Sequence, residues 1–199
     1  MTRREAMAQL RAWFTRQGWS PLPFQQTMWR HYLAGRSGLL HTPTGSGKTL
    51  AMFGGPLLQG LMEQPATPTS TPRKPVPGVR VLWITPLRAL ATDTARALRE
   101  PLQALGLDWQ VGLRTGDASA RDKRLAKQGR VDVLVTTPES LALLLSYPDT
   151  LAQMRQLRCV VVDEWHELLG NKRGVLLQLN LQRLRDALPR LEVWGLSAT

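Results

Sequence analysis

The sequence predicts an α/β domain in which a mainly parallel sheet carries helices on both faces. Short apolar runs alternate along the chain with longer runs that have helical spacing. One apolar run, 159–162, is almost entirely β-branched, as is typical of a parallel strand buried on both faces. Several apolar runs end in polar stretches, at the sheet edge where open parallel sheets bind ligands.

Length and composition fit one domain with its own core. The chain has 199 residues, of which 43% are hydrophobic, and no apolar run reaches the roughly 18 residues that a membrane span requires. No charged-then-apolar signal segment opens it, so we expect a cytoplasmic protein that has no membrane partner. The single cysteine, Cys159, lies in an apolar run and is expected to be a buried thiol.

The chain is strongly basic. It has 26 Lys and Arg residues against 15 Asp and Glu, and a formal net charge of +11. Arg matches the geometry of phosphate, so a polyanion such as nucleic acid is a candidate partner. A surface of merely solvated charges fits the same composition, so charge alone does not decide between the two.

The N-terminal third predicts three helices and a strand. Residues 3–17 place apolar side chains on one stripe and end at Gly18. Two prolines then fix an extended entry into a helix over 24–34. A short apolar run leads into the glycine-rich loop 42–49, and a helix follows as far as residue 62.

Residues 63–78 contain five prolines with Ser and Thr, which predicts a flexible surface loop inside the single domain 1–199. Strands and helices then alternate to the end. In order we expect a strand over 79–85, a helix after Pro86, a strand over 109–113, a helix capped by Ser119, a strand over 131–136, a helix over 141–145, the strand 159–162, a helix over 174–188 and a strand over 191–196. Pro138 suits the first turn of the helix over 141–145, with Glu139 near its positive end.

The loop 42–49 has the composition of a polyphosphate-binding loop. Gly45 and Gly47 lack side chains, so backbone N–H groups can turn toward an anion, and the next helix points its positive end there. Lys48 would reach the phosphates and the Thr49 hydroxyl would ligate Mg²⁺. The candidate nucleotide ligands are Thr44, Gly45, Ser46, Gly47, Lys48 and Thr49.

Two features of this loop leave an alternative open. Thr42 stands where the phosphate-loop pattern has glycine, six positions before Lys48. A surface turn rich in Gly, Ser and Thr would also precede a helix.

Gln25, just upstream, could read an adenine edge with one donor and one acceptor, and Trp19 or Phe14 could cover the ring. An amide on a helix surface has the same sequence signature.

The strand 159–162 delivers Asp163 and Glu164 to its carboxyl end. Adjacent carboxylates at a buried strand end are costly unless a cation compensates them. Asp163 is a candidate Mg²⁺ ligand, and Glu164 is a candidate base that orients the attacking water. With Lys48 they form the predicted catalytic set. An acidic surface turn is the alternative for the pair alone.

These stretches, in this order, resemble the motifs of superfamily 2 helicases of the DExH type. Residues 42–49, 163–166 and 197–199 resemble motifs I, II and III, and 21–25 resembles the adenine-reading Q motif. Three further stretches resemble the motifs by which these helicases contact nucleic acid: 86–90, 114–117 and 137–140. The amino-acid sequence of residues 163–174 is similar to that of the large helicase-related (Lhr) proteins, and it most resembles their bacterial ligase-associated branch.

The resemblance implies the first RecA-like lobe of an ATP-dependent DNA helicase or translocase, with ATP and Mg²⁺ as cofactors. It implies that His166, Ser197 and Thr199 couple the nucleotide site to the nucleic acid and to a second lobe. Single-stranded DNA is the expected partner, with RNA possible. The residues implied along the strand's backbone are Arg88, Arg114, Thr115, Thr137 and Pro138.

The resemblance further implies 3′-to-5′ movement and a role in DNA repair. The second RecA-like lobe, with its arginine fingers, and the C-terminal domains of the family have no counterpart in this sequence. We therefore expect a piece of a longer protein that binds nucleotide and DNA with little turnover by itself. Two alternatives stay open: the motor of a restriction or RNA-processing system, and a nucleotide-gated nucleic-acid-binding module that never hydrolyses.

Overall fold

The structure, a computed structural model, describes residues 1–64 and 78–198, and this part of the chain contains one six-stranded sheet. The strands are β1 (Gly38–His41), β2 (Val81–Ile84), β3 (Val111–Arg114), β4 (Val133–Thr136), β5 (Cys159–Val162) and β6 (Glu192–Ser197). Their order is β1-β6-β5-β2-β4-β3, and all neighbours are parallel. The predicted α/β class is confirmed.

Helices cover both faces of the sheet and enclose two apolar cores. Their bounds are α1 (Arg3–Arg16), α2 (Pro23–Leu33), α3 (Lys48–Glu63), α4 (Arg88–Ala104), α5 (Ala120–Lys127), α6 (Pro138–Leu145), α7 (Thr150–Gln153) and α8 (Lys172–Ala187), with a 3-10 helix at Trp165–Leu168. Side chains from α1 to α4 share one core with the sheet, and side chains from α5, α6 and α8 share the other.

Close packing between α2 and α3 holds the second helix against the one that follows the glycine-rich loop. A Cβ placed on Gly54 would lie 2.1 Å from Trp29 Nε1, so no larger residue fits there. The same Trp29 Nε1 donates to the carbonyl of Leu50 at 3.1 Å. Gln25, which lies on α2, is thereby carried to the start of α3.

Polar side chains cap the starts of two helices. The hydroxyl of Thr137 accepts from the N–H of Ser140, and Pro138 stands in the first turn of α6, as predicted. Oδ1 of Asn171 accepts from the N–H of Gly174, so α8 begins two residues before the predicted 174. The short α7 and the 3-10 helix were not predicted.

Cys159 is buried in β5, as expected, and this burial raises the pKa of its thiol.

Of the predicted loop 63–78, residues 65–77 lie outside the described residues. Within the described part, no helix is long and apolar enough to cross a membrane.

Candidate functional site

The glycine-rich loop lies between the end of β1 and the start of α3, as predicted. Gly45 and Gly47 have φ values of +78° and +88°, a left-handed conformation that residues with a Cβ rarely adopt. Because α3 begins at Lys48, the unpaired N–H groups of its first turn face the loop. The other predicted nucleotide ligands stand in the same turn: Thr44, Ser46 and Thr49.

Thr42, which replaces the glycine of the phosphate-loop pattern, anchors the loop to the sheet. Its N–H donates to the carbonyl of Ser197 at 3.1 Å, and its hydroxyl accepts from Ser46 Oγ at 2.8 Å. The side chain is therefore used within the loop, and the two glycines that shape the anion-facing turn are unaffected.

Gln25 touches the loop directly and is 3% exposed. Its Nε2 donates to the carbonyl of Gly47 at 3.2 Å, and its Oε1 accepts from the N–H of Leu22 at 2.8 Å. One N–H and one lone pair of the amide remain for a ligand. Of the two rings considered as adenine covers, Phe14 is buried in the core, whereas Trp19 is 49% exposed. Adenine recognition by Gln25 stays a prediction.

The loop and the acidic turn after β5 meet through an ion pair. Lys48 Nζ lies 3.3 Å from Glu164 Oε1, although the two residues are 116 positions apart. Glu164 has a φ of +44° and is the one non-glycine residue with positive φ in the described chain. Such strain persists where the surrounding structure imposes it, often at functional sites. It aims the Glu164 carboxylate at the lysine.

Asp163 is fixed at the end of β5 by neighbours on both of its oxygens. Oδ1 accepts from the N–H of Glu164 at 3.0 Å, and Oδ2 accepts from Trp83 Nε1 at 3.3 Å. Burial raises the pKa of Asp163 more than the Trp83 hydrogen bond lowers it. A cation beside this carboxylate would stabilise its charged form. Trp83 was missed as a site residue, since a tryptophan in an apolar run is ordinary core composition.

His166 connects the acidic turn to the end of β6. Its Nδ1 shares a hydrogen bond of 2.9 Å with Ser197 Oγ and lies 3.6 Å from Glu164 Oε2. Two of the three predicted coupling residues are thus in contact, and one of them, His166, adjoins the predicted catalytic base. Thr199, the third, lies outside the described residues. The coupling role stays a prediction.

The residues predicted to contact a nucleic-acid strand lie at or just after the carboxyl ends of β2, β3 and β4, at the same sheet edge as the acids. Arg88 is exposed. Arg114 is only 6% exposed and donates to the carbonyl of Lys123 at 3.2 Å. Thr115 is buried and donates to Asp117 at 2.7 Å. Thr137 and Pro138 are also buried, the threonine as the cap of α6. Contact of these five with a strand stays a prediction.

Helix α5 adds further cations beside Arg114. Lys123 Nζ donates to the carbonyl of Gly116 at 2.7 Å, and Lys127 Nζ lies 4.1 Å from the ring centre of Tyr147. Together with Arg114 and Arg124 they line one depression. The edge is therefore more basic than the motif residues alone indicate.

No group of three or more metal-ligating side chains occurs among residues 1–64 and 78–198. A magnesium ion needs no such group, because it is usually held by one or two protein oxygens, phosphate oxygens and water. Thr49, on the first turn of α3, and Asp163 supply a hydroxyl and a carboxylate. The Lys48–Glu164 contact shows that the elements carrying them adjoin.

Comparison with known proteins gives consistent matches. The family model described as DEAD/DEAH box helicase matches residues 22–199. The chain is 39% identical over 201 residues to the Lhr helicase/probable uracil glycosylase of Mycolicibacterium smegmatis, and 37% over 174 residues to the ATP-dependent helicase Lhr-Core of Methanothermobacter thermautotrophicus. The matches cover 95% and 83% of this chain but 13% and 20% of those relatives.

Solved structures show the same fold. The structure of Mycobacterium smegmatis helicase Lhr bound to ssDNA and AMP-PNP matches with a TM-score of 0.81 and 36% identity, over 96% of this chain and 24% of that one. The DUF1998 helicase MrfA bound to DNA and AMPPNP has a TM-score of 0.77 at 22% identity, over 96% and 26%. These matches confirm the RecA-like fold that the sequence resemblance implied.

Proposed function

This chain belongs to the DEAD/DEAH box helicase family, and we propose that it is the ATP-binding lobe of an ATP-dependent DNA helicase or translocase of the Lhr type. One observation carries the proposal. The left-handed Glu164 meets Lys48 of the glycine-rich loop at 3.3 Å. A phosphate-binding lysine and a water-orienting carboxylate on two elements fit phosphoryl transfer to water. The carboxylate also argues against a parent protein that never hydrolyses.

The proposed nucleotide site assigns one task to each residue. Backbone N–H groups of the loop 44–49 and the Lys48 ammonium hold the β- and γ-phosphates. Thr49 and Asp163 hold Mg²⁺, which when bound neutralises charge on the phosphates. Glu164 orients and deprotonates the attacking water. Gln25 presents its remaining donor and acceptor to adenine.

We propose single-stranded DNA as the polymer that lies across the turns after β2, β3 and β4, with RNA as the other candidate. The net charge of +11 and the cations of α5 support this partner. So does the 36% identical lobe, whose structure is described as bound to ssDNA and AMP-PNP. Contacts to phosphates from such turns position a strand without reading its sequence.

Further domains of a longer protein, including a second RecA-like lobe, are proposed partners of this lobe. The chain spans 13% to 20% of the relatives described above, which leaves room for them. An apolar groove between α8 and the edge strand β1 supports such packing, since Leu39 and Val175 are exposed there. A cytoplasmic location and a role in DNA repair also remain proposals.

Fluorescence anisotropy with a labelled single strand tests the DNA assignment. The logarithm of the affinity should fall linearly with the logarithm of the salt concentration, and all sequences should bind alike. Arg88→Gln should lower the slope by about 0.7, the value of one phosphate contact on a single strand.

Arg183→Gln is the matched control. This exposed arginine lies roughly 16 Å along α8 from its first residue, away from the carboxyl edge of the sheet. It should leave the slope unchanged. An affinity that does not vary with salt would contradict DNA binding through phosphates.

A further inference from the structure

Arg173, on the first turn of α8, joins two of the turns that are proposed to hold the strand. Its Nε and Nη2 donate to the two carboxylate oxygens of Glu139, which lies on the first turn of α6. The same Nη2 donates to the carbonyl of Pro86 at 2.6 Å, where the turn after β2 begins. Nothing in the sequence predicts this contact, since Arg173 is 34 positions from Glu139 and 87 from Pro86.

The start of α8 is also tied tightly to the acidic turn. Nδ2 of Asn171 donates to the carbonyl of Glu167 at 2.8 Å, while its Oδ1 accepts from the N–H of Gly174 at 3.0 Å. A Cβ on Gly174 would lie 1.9 Å from the carbonyl oxygen of Leu168. Backbone of the 3-10 helix and backbone of α8 are therefore in direct contact, and the arginine cannot shift independently of the turn that carries Glu164.

A second hydrogen bond joins α8 to α6. Asn180, buried on α8, lies 3.4 Å from the carbonyl of Pro138 and donates to it. Leu177 and Leu184 of α8 share one core with Leu141 of α6. The first turn of α6 is thus held from two points on α8, by Arg173 through Glu139 and by Asn180 through Pro138.

We propose that Arg173 is a positioning residue that holds the strand-binding turns 86–90 and 137–140 in register with the turn 163–168 of the nucleotide site. It acts through Glu139 and the Pro86 carbonyl rather than by touching the strand itself. This inference rests on the DNA binding proposed above. It identifies α8 as the element through which nucleotide site and strand are connected within this lobe.

The charge of the pair allows a sharp test, because positioning and direct phosphate contact predict opposite effects. Removing the negative charge of Glu139 would strengthen the binding of a polyanion if Arg173 only attracted phosphate. If the pair positions the turns, Glu139→Gln weakens binding although the protein becomes more basic. The hydrogen bonds from Arg173 lower the pKa of Glu139, so the carboxylate is charged at neutral pH.

The experiment measures single-strand affinity and its salt dependence for this chain and four variants. Arg173→Gln, Arg173→Lys and Glu139→Gln should each bind on the order of tenfold more weakly, about the effect of one charge-assisted hydrogen bond. The salt slope should stay at the wild-type value, because no phosphate contact is lost. Lysine should not rescue binding, since it lacks the planar fork that reaches both partners. Arg183→Gln should bind as wild type does.

Three results would overturn the inference: stronger or unchanged binding of Glu139→Gln, rescue by Arg173→Lys, or a slope lowered by about 0.7 in Arg173→Gln. If Arg173→Gln does not fold, as judged by circular dichroism, the other two variants decide. Amide hydrogen exchange at 87–90 and 139–141 should be faster in Glu139→Gln, and this readout needs no DNA. A wild-type chain that binds no strand would refute the proposed function, while unchanged exchange would refute the positioning role.

Discussion

Glu164→Gln should increase the affinity of the lobe for ATP while removing the base needed for hydrolysis. In this structure, the ammonium of Lys48 is paired with the Glu164 carboxylate at 3.3 Å. A nucleotide must take the lysine away from this partner. The substitution keeps the size and shape of the side chain and removes only its charge, so the lysine becomes available to the phosphates.

The magnitude follows from the geometry of the pair. Two unit charges at about 4 Å attract each other by about 4 kcal/mol at an effective dielectric constant of about 20. The lysine and glutamate side chains are 10% and 25% exposed, and the cost of desolvating both charges reduces the net value to about 1 kcal/mol. Release of that energy corresponds to roughly fivefold tighter binding.

Isothermal titration calorimetry with ATP measures the change. Glu167→Gln is the matched control, since Glu167 carries the same charge three residues further on and its side chain is 62% exposed. It should change the affinity less than twofold, a screened surface effect. Equal or weaker ATP binding by Glu164→Gln would refute the reasoning that Glu164 competes for the lysine.

Three further predictions concern strain, pH and turnover. Glu164→Gly should be more stable than Glu164→Ala by about 1 kcal/mol, because both lose the carboxylate but only glycine adopts a φ of +44° freely; equal midpoints in urea would contradict this. Burial raises the pKa of Glu192 to about 7 from 4.5, so the native state binds more protons than the unfolded state between these values and stability falls as pH rises through them. Glu192→Gln should remove that loss. It should raise the free energy of unfolding by on the order of 1 kcal/mol at pH 8, after solvent screening, and leave it unchanged at pH 4. Equal gains at both pH values in urea unfolding would disprove the assignment. With saturating single-stranded DNA, phosphate release by this chain alone should stay far below about 1 s⁻¹, since an arginine finger contributes about 10³ to 10⁵ in rate and we propose that a second lobe supplies it. Motor-like turnover abolished by Glu164→Gln would instead indicate a finger supplied by another copy.

The sheet, the glycine-rich loop and the acidic turn could be predicted because each depends on local sequence. The glycines of the loop determine its backbone, and the β-branched run of β5 requires burial on both faces. The acids are carried to the sheet edge by that strand. The contact between Lys48 and Glu164 then follows from the topology, since parallel strands end on one side.

Long-range polar contacts could not be predicted in the same way. Trp83 donates to Asp163 from 80 positions away, and Arg173 donates to the carbonyl of Pro86 from 87 positions away. Neither residue stands in a pattern that distinguishes it from a core tryptophan or a surface arginine. The burial of Arg114 was equally hidden, because an arginine after a strand is more often exposed.

The start of α8 was misjudged because a capping residue precedes the apolar stripe. The apolar spacing placed this helix two residues too late, since Asn171 stabilises a first turn that contributes few apolar side chains. The start of α6 was indicated by Pro138, which suits a first helical turn. Arg173 lies on the first turn of α8, so its contacts could not be predicted from the apolar spacing.

The most direct test of the account is the dependence of nucleotide binding on Lys48. Calorimetry with Mg-ATP and Mg-ADP should show weak binding to the wild-type chain and at least about tenfold weaker binding to Lys48→Ala, which loses charge-assisted hydrogen bonds to the phosphates. Lys172→Ala, which removes an exposed lysine at the start of α8, should bind as wild type does. Equal affinity of wild type and Lys48→Ala would contradict the central claim that the loop 44–49 holds a nucleotide.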